Sequence, residues 1–113
     1  MYEYKVIKIH KVIDGDTVIA TVDLGFNCYI KQSFRILRIN SPELRDKDPN
    51  VKEAAFKAKE FAEKWFLQPG TLIVKTTKDD KYGRMLGDFR FEGQTETYSE
   101  IALKNNIAAP YDK

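Results

Sequence analysis

A chain of 113 residues, 42% hydrophobic and 12% aromatic, holds enough apolar material for one core and is too short for two, so a single domain over 1–113 is expected. Nineteen Lys and Arg against seventeen Asp and Glu leave a formal charge of +2, too small for net charge to argue for any partner; the placement of the charges has to do so. A lone cysteine excludes an internal disulfide, and Cys28 reads as a buried, inert thiol in a reducing compartment.

Met1 to His10 alternates charged and apolar residues, which fits neither a signal peptide nor a membrane span, so a cytoplasmic protein without a membrane partner is expected. From Tyr2 to Ile13 the residues Tyr4, Val6, Ile7, Ile9, Val12 and Ile13 give a first strand with partial alternation, ending at the turn Asp14-Gly15-Asp16. Thr17 to Leu24 is a second β-branched run closed by Gly25. Cys28 to Ile39 is a third long strand, crossed by Ser33 and two arginines, which completes a meander.

After Pro42 the stretch Leu44 to Asn50 is charged and loop-like, and Asp48-Pro49 offers an N-cap followed by proline at the first helical position. The helix that follows presents Val51, Ala54, Ala55, Ala58, Phe61, Ala62, Trp65 and Phe66 at three- and four-residue spacing to a core. Lysines and glutamates fill its other face as an ordinary solvated surface, and Pro69-Gly70 ends it. Thr71 to Thr77 and Arg84 to Phe91 read as a fourth and fifth strand, Glu92-Gly93 as a turn, and Ser99 to Asn105 as a short closing helix.

That order predicts an α+β, mainly β chain: a five-stranded OB-fold barrel with one long helix between strands 3 and 4 and a short C-terminal helix. A small α+β roll would fit the same string.

The chemistry-bearing segments each have an ordinary explanation when taken alone. Asp14-Gly15-Asp16-Thr17 is a common hairpin turn. In Phe34-Arg35-Ile36-Leu37-Arg38-Ile39 the two arginines are three apart, so on an unbroken strand they face opposite sides and one lies beside the core. A guanidinium there needs an anion, either a protein carboxylate or a bound phosphate. Asn40-Ser41-Pro42-Glu43 sets an amide, a hydroxyl and a carboxylate where the strand breaks, and Asp79-Asp80-Lys81-Tyr82-Gly83-Arg84 packs acids, bases and an aromatic around a glycine turn. His10, the only histidine, reads as a solvated side chain.

In combination and order, these segments resemble the staphylococcal nuclease family from about Val12 to Ala109. The matching motifs are Asp14-Gly15-Asp16-Thr17, then Phe34-Arg35-Ile36-Leu37 leading to Ser41-Pro42-Glu43, then Asp80-Lys81-Tyr82-Gly83-Arg84. Asp23-Leu24-Gly25-Phe26 and Arg38-Ile39-Asn40-Ser41-Pro42-Glu43 are similar to the short, phage-associated branch of that family. The resemblance implies a calcium-dependent phosphodiesterase acting on DNA or RNA, single-stranded by preference, that leaves 3′-phosphate ends. It implies a monomer with no obligate protein partner.

By match to the family motifs, Asp16 would bind calcium directly, Asp14 would support the site from behind it, and Ser41 would offer its backbone carbonyl. Glu43 would take a proton from the attacking water, while Arg35 and Arg84 would hold the scissile phosphate. Lys81 and Tyr82 would contact the neighbouring phosphate and sugar. Asn40 stands where the family usually has a second calcium-binding aspartate, which implies weaker metal binding. Asp23 either restores that charge from the second strand or is a solvated strand-end acid. Tyr111 loosely matches substrate-facing tyrosines. The competing expectations are a barrel that binds single-stranded nucleic acid without cutting it, and a protein-interaction module, for which no exposed apolar patch is visible in the sequence.

Overall fold

The computed structural model describes residues 2–79 and 84–111. Its chain order is β1 (Tyr2–Asp14), β2 (Thr17–Gly25), β3 (Cys28–Ile36), β4 (Ile39–Asn40), α1 (Pro49–Phe66), β5 (Leu72–Asp79), β6 (Met85–Phe91), α2 (Tyr98–Lys104) and β7 (Ala109–Pro110). Five strands close into a barrel in the order β1-β2-β3-β6-β5, with β5 returning to β1, while β4 and β7 form a separate two-stranded ribbon. Closure decides for the OB-type barrel over the open roll. All barrel pairings are antiparallel except β3 with β6, where Phe34, Ile36 and their neighbours run parallel to Met85–Gly87. The chain reaches that parallel position only after the crossover through α1.

α1 forms where the spacing and cap predict it. The Asp48 side chain accepts the Asn50 N–H at 2.9 Å, Pro49 opens the first turn and Lys64 lies in the last. Ala55, Ala58, Ala62, Trp65 and Phe66 are buried, whereas Ala54 lies on the exposed flank of the helix and not in the predicted core stripe. α2 starts one residue earlier than predicted. Thr97 caps it, and Thr97 and Glu100 exchange side-chain bonds to each other's backbone N–H. The core joins barrel and helices through aromatic rings: Phe89 meets Phe34 and Phe66 edge-on with centroids 5.5 and 5.1 Å apart, and Trp65 packs on Phe66, Phe91 and Tyr98. Each such pair adds about 0.5–1.5 kcal/mol to simple burial.

Two expectations need correction. The third strand does not run to Ile39. Its pairing with β6 stops at Ile36, Leu37 N–H bonds to the Gly87 carbonyl, and Arg38 takes a left-handed φ of 68° before Ile39–Asn40 pairs with β7. Arg35 and Arg38 are therefore not on opposite faces of one strand, because Arg38 belongs to a turn. Cys28 is exposed, not buried: it begins β3 just after the Phe26-Asn27 turn, beyond the reach of the core. Among the described residues no helix is long and apolar enough to cross a membrane.

Candidate active site

The β1–β2 turn is narrow because of its neighbours. A Cβ added at Gly15 would lie 2.8 Å from Ser41 Cβ and 2.9 Å from Ala58 Cβ, so only glycine lets the turn lie against both the loop after β4 and helix α1. Gly15 is not in the left-handed region; it is required here for space. The Gly15 carbonyl accepts the buried Tyr98 hydroxyl at 2.6 Å, which fastens the turn to α2 as well. Burial, then the charges of Asp16, Asp14 and Asp88, push the Tyr98 phenol well above its ordinary value and keep it a donor.

This packing sets Asp16 at the centre of a polar cluster. Its Oδ2 accepts the Ser41 N–H at 2.9 Å and lies 3.5 Å from Arg35 Nη2, and its Oδ1 accepts the Thr17 hydroxyl at 3.0 Å. Asp14 Oδ1 accepts the Asp16 N–H at 3.1 Å. Burial, then a hydrogen bond shared with Asp16 and the Asp16 charge, push the Asp14 carboxyl up to about 6. For Asp16 burial acts in the same direction but is outweighed by the bond from Asp14, the Ser41 N–H and the Arg35 charge, so its carboxyl sits below the ordinary value.

Arg35 spans the cluster. Nη1 donates to the Ile36 carbonyl at 2.7 Å, Nη2 reaches Asn40 Oδ1 at 3.4 Å, and the guanidinium lies 5.4 Å from the centre of the Tyr111 ring. Asp14, Asp16, Thr17, Arg35, Asn40, Glu43, Arg45, Arg84 and Tyr111 line one open cleft of roughly 550 Å³. Thr17 and Arg45 had no role in the sequence-based site: the first closes the Asp14-Gly15-Asp16-Thr17 motif and the second lies in the charged stretch Leu44 to Asn50. Lys81 and Tyr82 lie outside the described residues. Asp23 is remote. It sits six residues along β2 from Thr17, about 20 Å at ~3.4 Å per residue, and accepts the Gly25 N–H at 2.8 Å as a strand-end acid.

The donor chemistry suits a hard cation. Asp16 and the Asn40 amide oxygen both approach the same positive group, the Arg35 guanidinium, so oxygen donors already converge on one cationic position. Among the described residues no three His, Cys, Asp or Glu side chains are grouped so as to hold a metal ion. Ser41 meets Asp16 through its N–H, and its buried hydroxyl has no hydrogen-bond partner among the described residues.

Comparison with known proteins follows the same residues. The sequence profile of the staphylococcal nuclease homologues matches residues 33–112, which include Arg35, Asn40, Ser41, Glu43 and Arg84. Asp14 and Asp16 precede the matched stretch and join it in space through the Asp16–Ser41 bond. An uncharacterized protein of Methanocaldococcus jannaschii is 31% identical over 125 aligned positions, which cover 92% of this chain and 58% of that relative. The chain thus spans less than two thirds of that relative's length. With more than half of its residues matched and a closed barrel around them, the chain belongs to the staphylococcal nuclease family and carries a nuclease-like or nucleic-acid-binding module of that kind.

Proposed function

We propose that this chain is a calcium-dependent nuclease that hydrolyses single-stranded DNA or RNA and leaves 3′-phosphate ends. One observation carries the reading: the Asp14, Asp16 and Glu43 carboxylates, the Asn40 amide and the guanidinium groups of Arg35, Arg45 and Arg84 line a single open cleft. A pure binder needs the positive charge but has no use for an acid beside it.

Asp16 and Asn40 would hold the calcium, with Asp14 behind Asp16 and the Ser41 carbonyl as a further oxygen donor. A bound dication there supplies positive charge to a phosphoryl oxygen. Arg35 would leave Asp16 for the scissile phosphate, and Arg84 would hold the same phosphate from the other loop. Both are planar forks that stay charged as negative charge builds on the phosphoryl oxygens. Glu43 takes a proton from the attacking water as its oxygen bonds to phosphorus. The bond from phosphorus to the 5′-oxygen breaks, and that alkoxide takes up a proton to leave as a hydroxyl. The phosphate stays on the 3′ side.

A second reading has its own support. Arg35 lies against Asp16 and Asn40, and the neutral Asn40 weakens any cation's hold there. The site would then bind single strands and cut none. Labelled single-stranded DNA and RNA incubated with the purified protein separate the two, with calcium, with other divalent ions and with chelator. Cleavage that requires the metal supports the nuclease; retention without cleavage under every ion supports the binder.

A further inference from the structure

Lys5, Lys8 and Lys11 lie three residues apart on β1. In an unbroken strand residues three apart face opposite sides, so Lys8 would point into the barrel. Two bulges prevent this. Register shifts between Val6 and Lys8 and between Ile9 and Lys11 each add one residue to β1, so that Lys5 pairs with Asp23, Lys8 with Thr21 and Lys11 with Ile19. On β2 these partners alternate with Val18, Ala20 and Val22, which are buried, so all three lysines stand on the outer face. Lys31 and Tyr29 reach that face from β3 opposite Thr21 and Asp23, and Tyr29 is 57% exposed.

Among the described residues, these paired rows set four lysines against one carboxylate, Asp23. His10, the extra residue of the second bulge, donates to or accepts from the Thr21 hydroxyl at 2.7 Å in the middle of them. Partial desolvation, then the charges of Lys31 and Lys8, hold its imidazole below the ordinary value. The same register continues to Thr17 opposite Arg35, and both of these line the cleft. The lysine rows therefore start at the cleft and end at Tyr29, about 20 Å away at ~3.4 Å per residue.

We propose that the outer face of β1, β2 and β3 is an extended subsite for single-stranded nucleic acid, where Lys8, Lys11 and Lys31 neutralise phosphates beyond the scissile one and Tyr29 stacks a base. It rests on the reading of the cleft as a phosphodiester site. The occupant follows from charge complementarity, from continuity with the cleft and from the exposed ring, since every base has a face to stack.

The test measures binding in chelator, where nothing is cut, by fluorescence anisotropy of a labelled single-stranded 16-mer between 50 and 200 mM salt. The triple variant Lys8→Gln/Lys11→Gln/Lys31→Gln is expected to lower the slope of log affinity against log salt by about 2, from ~0.7 per lost phosphate contact, and to bind on the order of tenfold more weakly at 50 mM. Tyr29→Ala is expected to weaken binding at least about fivefold. Lys52→Gln/Lys57→Gln/Lys64→Gln on the exposed face of α1 removes the same charge and is expected to bind like the wild type. An unchanged slope in the first variant, an equal loss in the α1 variant, or competition by polyglutamate as strong as by oligonucleotide overturns the subsite. Wild-type protein that shows this binding pattern yet cuts nothing with any divalent ion refutes the catalytic reading alone and leaves the subsite standing. Unfolding midpoints of the variants, measured alongside, separate lost binding from lost fold.

Discussion

Asp16 Oδ2 accepts the backbone N–H of Ser41 at 2.9 Å, with both residues buried. This bond ties the β1–β2 turn to the loop that carries Glu43. Asp16→Ala leaves the Ser41 N–H and the Arg35 guanidinium without that acceptor and is expected to cost about 3 kcal/mol. Asp16→Asn keeps one acceptor oxygen and is expected to cost less. Urea unfolding in chelator measures both, and an alanine variant within about 0.5 kcal/mol of wild type would show that the bond does not hold the loop.

The turn itself has no room for a methyl group. Gly15→Ala meets Ser41 on one side and Ala58 on the other, and neither contact is the far end of a flexible side chain. The expected loss is about 1–3 kcal/mol, read as a lower urea midpoint with an unchanged slope. A midpoint equal to wild type would mean that the turn can move away from both neighbours.

Stability should also depend on pH in a definite direction. Burial raises the Asp88 carboxyl above its ordinary value, although Ser99 N–H and hydroxyl and Phe89 N–H bond to it, and Asp14 is raised to about 6. A carboxyl raised on folding favours the folded state while protonated, so this contribution is complete below the unfolded value near ~4 and is lost as pH rises through the folded one. In chelator, stability is expected to fall between about pH 4 and pH 6–7. Asp14→Asn should flatten that slope, and thermal melts across this range that show the same slope in the variant would remove Asp14 from the account.

Asn40→Asp adds a charge beside Asp16 and is expected to tighten calcium binding on the order of tenfold. Calorimetric titration is the measurement. Equal affinity in both proteins would take residue 40 out of the metal's ligand set.

For the cutting step, Glu43→Gln and Arg84→Ala are each expected to lower the cleavage rate by about 100-fold or more. Circular dichroism should show the fold intact, as Glu43 is exposed. Rates equal to wild type in either variant would refute the role assigned to that residue.

Much of the architecture was legible because it rests on local signals. Asp48-Pro49 and the spacing of Ala55, Ala58, Ala62 and Trp65 mark α1 through capping and helical period, both set by residues within a few positions of each other. The end of β3 was not legible. Leu37-Arg38-Ile39 has good strand chemistry, and only the limit of pairing with β6 and the pull of β7 on Ile39–Asn40 turn the chain there. Cys28 failed for a related reason: its residue type favours burial, but its place at the hairpin tip keeps it from the core. For the site, motif order drew attention to Arg35, Asn40, Ser41, Glu43 and Arg84, whereas the role of Tyr98 in holding the Asp16 turn depends on a contact 83 residues apart that no local pattern announces.

By itself, then, the order of residues determined the five barrel strands, the two helices, the cap of α1 and the set of charged groups available to a site, since these follow from propensity and short-range spacing. Tertiary structure alone decided where those charges point. Three residues of β1 match two of β2 at each bulge, a count that depends on the partner strand, and it is this mismatch that moves Lys8 from the interior to the outer face.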